Sequence, residues 1–264
     1  MKGSILLALA LGAALGGTAN ASDPAQRAHK ADAHPAHPAH APHWTYSGKT
    51  GASHWGELQA GFEACSVGRE QSPIDIRGAS AAELPPLAFD YSTSSAEIVN
   101  NGHTIQIDLP QGGMLRLPFG AYRLLQFHFH APSEEKIEGK AYPMVAHMVH
   151  RDEQGRIAVV AVLFREGREN AALARVFAAM PAHEGGKASL AGGLDPAQLL
   201  PPSRGYWAFM GSLTTPPCTE GVRWQVLKDP VEVSKAQLAA FRKLYPMNAR
   251  PVQPLNGRSL QVSS

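Results

Sequence analysis

Cysteine is scarce: the 264-residue chain holds two, Cys65 and Cys218, and no C-x-x-C pair. A dithiol redox motif is therefore excluded, and no set of thiolates is present to build a structural zinc site. Lysine and arginine form no cluster and the formal net charge is only +2, so composition offers no case for nucleic-acid binding. Outside the N-terminal stretch, no apolar run approaches the length that spans a bilayer. Internal repeats are absent as well.

The N-terminal 21 residues read as a secretory signal peptide. Lys2 is the basic start, "ILLALALGAALG" is an apolar core too short to be a comfortable membrane anchor, and "ANA" at 19–21 supplies small residues for cleavage after Ala21. No lipobox cysteine lies near that point, so the expected location is periplasmic or secreted, with no membrane attachment after cleavage. Residues 22–42 hold only Ala, Pro, His and polar or charged side chains, which cannot build a core and predict a disordered linker. His34, His37, His40 and His43 recur at the three-residue turn of polyproline II. They read either as a weak metal-collecting arm or as a solvated spacer. In an exported chain, two cysteines predict one disulfide rather than two free thiols. It would close a loop of roughly 150 residues, for about 5 kcal/mol in the chain-entropy description.

The remaining residues, 43–264, suffice for one domain. Gly 25 and Pro 21 imply many turns, and aromatic and β-branched residues fall in short runs. "AEIVNNGHTIQIDL", "YRLLQFHFHA", "MVAHMVHRD", "RIAVVAVLF" and "VRWQVL" read as strands. "NAALARVFAAM" and "SKAQLAAFRKLY" read as helices, the second with a Ser234/Gln237 capping box and a face of Leu238, Phe241 and Tyr245. The fold class is mainly β, a single domain with a few peripheral helices.

Strand alternation sets His128 and His130 on one face with Gln126, about 7 Å apart along the chain, and Phe127 and Phe129 on the other. The segment "APSEEKIEGKAYP" is a loop long enough to return the chain. His147 can then lie opposite the pair on an antiparallel neighbour, sharing its face with Val145 and Val149, while His150 points away. Three neutral imidazoles with one tetrahedral position left for water is the donor set of a catalytic zinc. The competing reading is a group of hydrogen-bonded core histidines.

"NNGH", "QSPIDI", "QFHFH", "SEE", "AHMVH", "SLTTPPC" and "NARPVQPLNGR" resemble the α-class carbonic anhydrases in order and rough spacing, from His43 to about Arg258. The resemblance implies a large twisted, mostly antiparallel central sheet. It implies Zn²⁺ on His128, His130 and His147, and reversible hydration of carbon dioxide to bicarbonate by a hydroxide generated at the metal. Thr214, hydrogen-bonded to Glu134, would orient that hydroxide. Thr215 would line the substrate cavity, and Val149, Val159, Leu213 and Trp224 its apolar wall. His103 would shuttle protons through water ordered by Tyr46, Asn101 and Gln106.

Gln126 should hold His128, and a backbone carbonyl near Asn248 should hold His130. For the third ligand the family has a glutamate two residues upstream, where this chain has Val145. It usually has His or Asn after the glutamate of its "S-E" pair, where this chain has Glu135. Glu135 is accordingly expected either to replace the lost carboxylate behind His147 or to lie in solvent. Alternatives of other classes are a non-catalytic or weakly active relative, and a metal buffer acting through the histidine arm. The expected partner is a small molecule (carbon dioxide or bicarbonate), with no nucleic acid, in a monomer or homodimer.

Overall fold

The computed structural model describes residues 43–263; the expected signal peptide and linker lie outside them. A large mixed sheet carries the fold. Its middle runs through Glu97–Asn100, Ile105–Asp108, Gly120–His130, Met144–Arg151, Ile157–Glu166, Glu220–Leu227 and Tyr206–Ser212, in that spatial order. Neighbours are antiparallel except Ile157–Glu166 and Glu220–Leu227, which run parallel. Among the described residues no helix is long and apolar enough to cross a membrane.

The strands form where they do because one face of each is apolar. Phe127 and Phe129 are completely buried on the face away from the histidines, with Met148, Val160, Val162 and Phe164. The helices Ala171–Ala178 and Lys235–Leu244 supply Leu173, Phe177, Leu238 and Phe241 to the same cluster. Each large side chain there contributes about 1.5–3 kcal/mol by leaving water. Asn170 caps the first helix through a bond from Leu173 N, and Ser234 and Gln237 form the expected capping box on the second.

Three features depart from the plain reading of the sequence. "AEIVNNGHTIQIDL" is two antiparallel strands, Glu97–Asn100 and Ile105–Asp108, broken at 101–104. Gly102 takes φ +84° in that turn, and a Cβ there would meet the Glu184 carboxylate at 2.6 Å, so the turn requires glycine. The segment after His130 is not simple loop. Lys136–Ile137 and Lys140–Ala141 join Asp75–Ile76 in a separate small sheet. Finally, the register of 120–130 against 144–151 slips by one residue, with Val149 opposite Gln126 but His150 opposite Leu124. Leu125 is the extra residue. The bulge lets Gln126 face the histidines while Leu124, two positions earlier, enters the core.

Candidate metal centre

Cross-strand pairing builds the site in rows. Gln106, His128, His147 and Ala161 are successive partners across four strands. One step along lies a second row on the same face, with Gln126, Val149, Val159 and Trp224. The histidines therefore sit on rigid central strands, beside a ready apolar wall. Val145, Val159 and Trp224 are buried in one cluster, with Val149 and Leu213 half-buried against it. The Trp224 ring meets His147 edge-on at 4.9 Å, and its Nε1 donates to Ser212 O at 3.0 Å.

His128, His130 and His147 bring one ring nitrogen each to within 4.8 Å of the others. Their remaining nitrogens are engaged. His128 Nδ1 lies 2.9 Å from Gln126 Oε1, and His130 Nδ1 lies 2.7 Å from the Asn248 carbonyl. His147 Nε2 lies 3.1 and 3.2 Å from the two carboxylate oxygens of Glu135. This leaves Nε2 of His128, Nε2 of His130 and Nδ1 of His147 to converge. His130 Nε2 is buried with no hydrogen-bond partner, a costly state for a core histidine and the expected one for a metal ligand. The donor set fits zinc.

The electrostatics agree for two of the rings. Burial, reinforced by His147, pushes His128 down to about 3. Burial likewise holds His130 well below its ordinary range. Both are neutral, as metal ligation requires. Burial alone would lower His147 too, but the charge and hydrogen bond of Glu135, with Glu134 behind, lift it above its ordinary value.

Glu134 lies with its carboxylate 3.5 Å from His130 Nδ1 and 3.8 Å from His147 Nδ1. Burial pushes it up to about 7, and Glu135 adds to the rise. His147, the Thr214 hydroxyl and the Arg250 N–H oppose it. Arg250 N donates to Oε1 at 2.7 Å. Oε2 is buried without a partner at full bonding distance, so Thr214 is close enough to favour the ionised carboxylate without closing a short bond. A divalent cation beside it would oppose that rise.

Across the site, His103 stacks on Trp44 at 3.6 Å between ring centres, with His43 stacked at 5.6 Å. Burial and His43 lower its pKa, against a pull from Glu184. Asn101 Oδ1 accepts from His103 N and Thr104 N, while its amide reaches Gln106 Oε1 at 3.5 Å. The Tyr46 hydroxyl is buried without a partner, and burial followed by the Glu134 charge raises its pKa well above the usual range. Thr214 is buried and Thr215 half-buried in the turn after 206–212, where Cys218 N donates to Thr215 O at 2.8 Å. Cys218 is joined to Cys65.

Residue-by-residue reading of the sequence missed Arg250. Its guanidinium is buried, donating to Gln71 Oε1, Ser72 O and Cys65 O at 2.9, 2.7 and 3.0 Å. Only the motif "NARPVQPLNGR" could have signalled it. Glu184, beside Gly102 and His103, carries no signal in the sequence at all.

A sequence model described as eukaryotic-type carbonic anhydrase matches residues 50–264. The chain belongs to the α-class carbonic anhydrase family. It is 39% identical over 259 residues to a carbonic anhydrase of Pectobacterium atrosepticum, covering 98% of both chains. A carbonic anhydrase of Neisseria gonorrhoeae is 44% identical over 217 residues, which are 81% of this chain and 86% of that one. Among solved structures, the α-carbonic anhydrase of Thermovibrio ammonificans in complex with sulfanilamide superposes with a TM-score of 0.81 at 47% identity. The match covers 84% of this chain and 99% of that one. The large mixed sheet and short helices are thus the carbonic anhydrase fold, and the chain is a carbonic anhydrase enzyme.

Proposed function

We propose that this carbonic anhydrase performs reversible hydration of carbon dioxide at a zinc ion held by His128, His130 and His147, with His103 as proton shuttle. The observation that carries the reading is the convergence of three ring nitrogens whose opposite nitrogens are already engaged, one converging nitrogen being a buried orphan. Zinc, when bound, supplies Lewis acidity that makes a water deprotonate near neutral pH, an established property of carbonic anhydrases.

The chain's own residues do the rest. Gln126, the Asn248 carbonyl and Glu135 orient the three rings. Glu134, held by the Arg250 N–H, accepts a hydrogen bond from the Thr214 hydroxyl. Thr214 Oγ is then left as an acceptor, so the nucleophile donates to it and turns a lone pair toward the substrate. Carbon dioxide is apolar and is accommodated by Val149, Val159, Leu213 and Trp224, beside Thr215. Tyr46, Asn101 and Gln106 order the water between the centre and His103. Export through the 1–21 segment to the periplasm or medium is consistent with the Cys65–Cys218 bridge.

Two measurements test the assignments. Thr214→Ala should lower kcat/KM for hydration roughly 100-fold with zinc content unchanged, as expected for a lost orienting hydrogen bond. Full activity in that variant would remove Thr214 from the mechanism. His103→Ala should lower kcat roughly 10–100-fold in weak buffer while kcat/KM holds, and added imidazole should restore it. A kcat insensitive both to the substitution and to imidazole would rule out His103 as the shuttle. The central test is zinc content of the purified mature protein measured alongside carbon dioxide hydration.

A further inference from the structure

The strand that carries His147 offers that ring no polar support. Val145, two residues before it on the same face, is fully buried in the apolar cluster with Ile74, Ile76 and Ile137. Support comes from outside the strand. Glu135 is fully buried and sets both carboxylate oxygens 3.1 and 3.2 Å from His147 Nε2. A carboxylate taken wholly out of water is costly unless it is paired, so this is not an incidental contact.

Glu135 stands at the head of the segment that forms the small second sheet. Its own carbonyl accepts from Ser133 Oγ at 2.7 Å, and Ser133 Oγ accepts from Tyr142 N at 2.8 Å. Ser133 N and Tyr142 O close the other end at 2.9 Å. Lys136 N and Glu138 N then donate to Ile74 O and Ile76 O at 3.2 and 3.1 Å. The carboxylate that steadies the third histidine is thereby built into a hairpin separate from the main sheet.

We propose that Glu135 is the positioning residue for His147 and that, because it belongs to the 131–142 segment and not to the ligand's strand, it couples metal affinity to the docking of that segment. The proposal rests on the zinc reading of the three histidines. A carboxylate at position 145 would orient the ring from its own strand and leave the hairpin independent of the metal. Here the two are linked, and linkage is reciprocal: whatever docking adds to metal affinity, metal adds to docking.

The test uses the mature protein, Glu135→Gln, and Glu135→Gln combined with Val145→Glu. Zinc affinity is measured by competition with a chromophoric chelator. Amide hydrogen exchange at Ser133, Lys136, Glu138 and Tyr142 is followed with and without zinc. Glu135→Gln should weaken zinc binding about 10–100-fold, the usual effect of losing a ligand's partner. Zinc should slow exchange of those amides in the parent protein but not in Glu135→Gln. The double variant should regain affinity without regaining zinc-dependent protection of the hairpin, an outcome that a purely structural role for Glu135 does not produce. Should Glu135→Gln not fold, Glu135→Asp keeps the charge on a shorter arm and should give a smaller loss of both readouts. Zinc affinity within twofold of the parent in the substituted protein, or unaltered zinc-dependent protection, overturns the proposal while leaving the carbonic anhydrase reading intact. A parent protein that takes up no zinc overturns both.

Discussion

Replacing His128 by alanine should weaken zinc binding by about two to three orders of magnitude and remove hydration activity at limiting zinc. Structural zinc sites with four protein ligands release about 10–16 kcal/mol on binding, so one ligand is worth about 2.5–4 kcal/mol, and each 1.4 kcal/mol is tenfold. His128 is the best of the three to remove. It is the one ligand that is not fully buried, and its engaged nitrogen faces a side-chain amide, which can turn elsewhere. Removing His130 would leave the Asn248 carbonyl stranded, and removing His147 would leave Glu135 as a buried unpaired carboxylate. Either loss would mix instability with lost ligation. The measurement is zinc stoichiometry and affinity, with hydration assayed on the same samples and folding checked by near-ultraviolet circular dichroism. A folded variant that retains zinc and turns over normally would mean the metal is held by other residues.

The second large effect concerns stability. Cys65 and Cys218 are joined across 153 residues of sequence. Opening that loop should cost about 5 kcal/mol in the chain-entropy description, an upper value because denatured-state structure is ignored. For a domain of this size that corresponds to a fall in Tm of about 10–20 °C. The bridge also reaches the site. Arg250 donates to the Cys65 carbonyl, Gln71 to the Cys218 carbonyl, and Cys218 N to Thr215 O. Reduction should therefore loosen the turn that carries Thr214 and the backbone N–H that holds Glu134 before the sheet melts. Activity should decline at temperatures where far-ultraviolet circular dichroism is still native. Melting the oxidised protein beside a Cys65→Ser/Cys218→Ser variant checks both claims, and coincident curves for the two would contradict them.

Much of the site can be read before any coordinates. H-x-H in a strand puts two imidazoles on one face by alternation alone, and a third histidine one return strand later makes a donor set. The capping box at Ser234 and the apolar alternation of 127 and 129 are equally local. The Leu125 bulge is not local: nothing in "RLLQFH" announces an extra residue, because pairing with the neighbouring strand creates it. The parallel pairing of 157–166 with 220–227, which sets Trp224 beside Val159, joins segments far apart in sequence.

The family, the three histidines and the absence of the usual carboxylate at Val145 can be read from the residues in order, because these depend on residue identity and short-range periodicity. Whether Glu135 meets His147 or faces water cannot be read that way. The folded chain answers it, and supplies the hold of Arg250 on Glu134 and the contact of Glu184 with the turn that carries His103. Each requires backbone from distant segments to bring a buried polar atom to within hydrogen-bonding or contact distance of its partner. Distances of that kind follow from packing the whole sheet and its loops, and no short window of residues contains them.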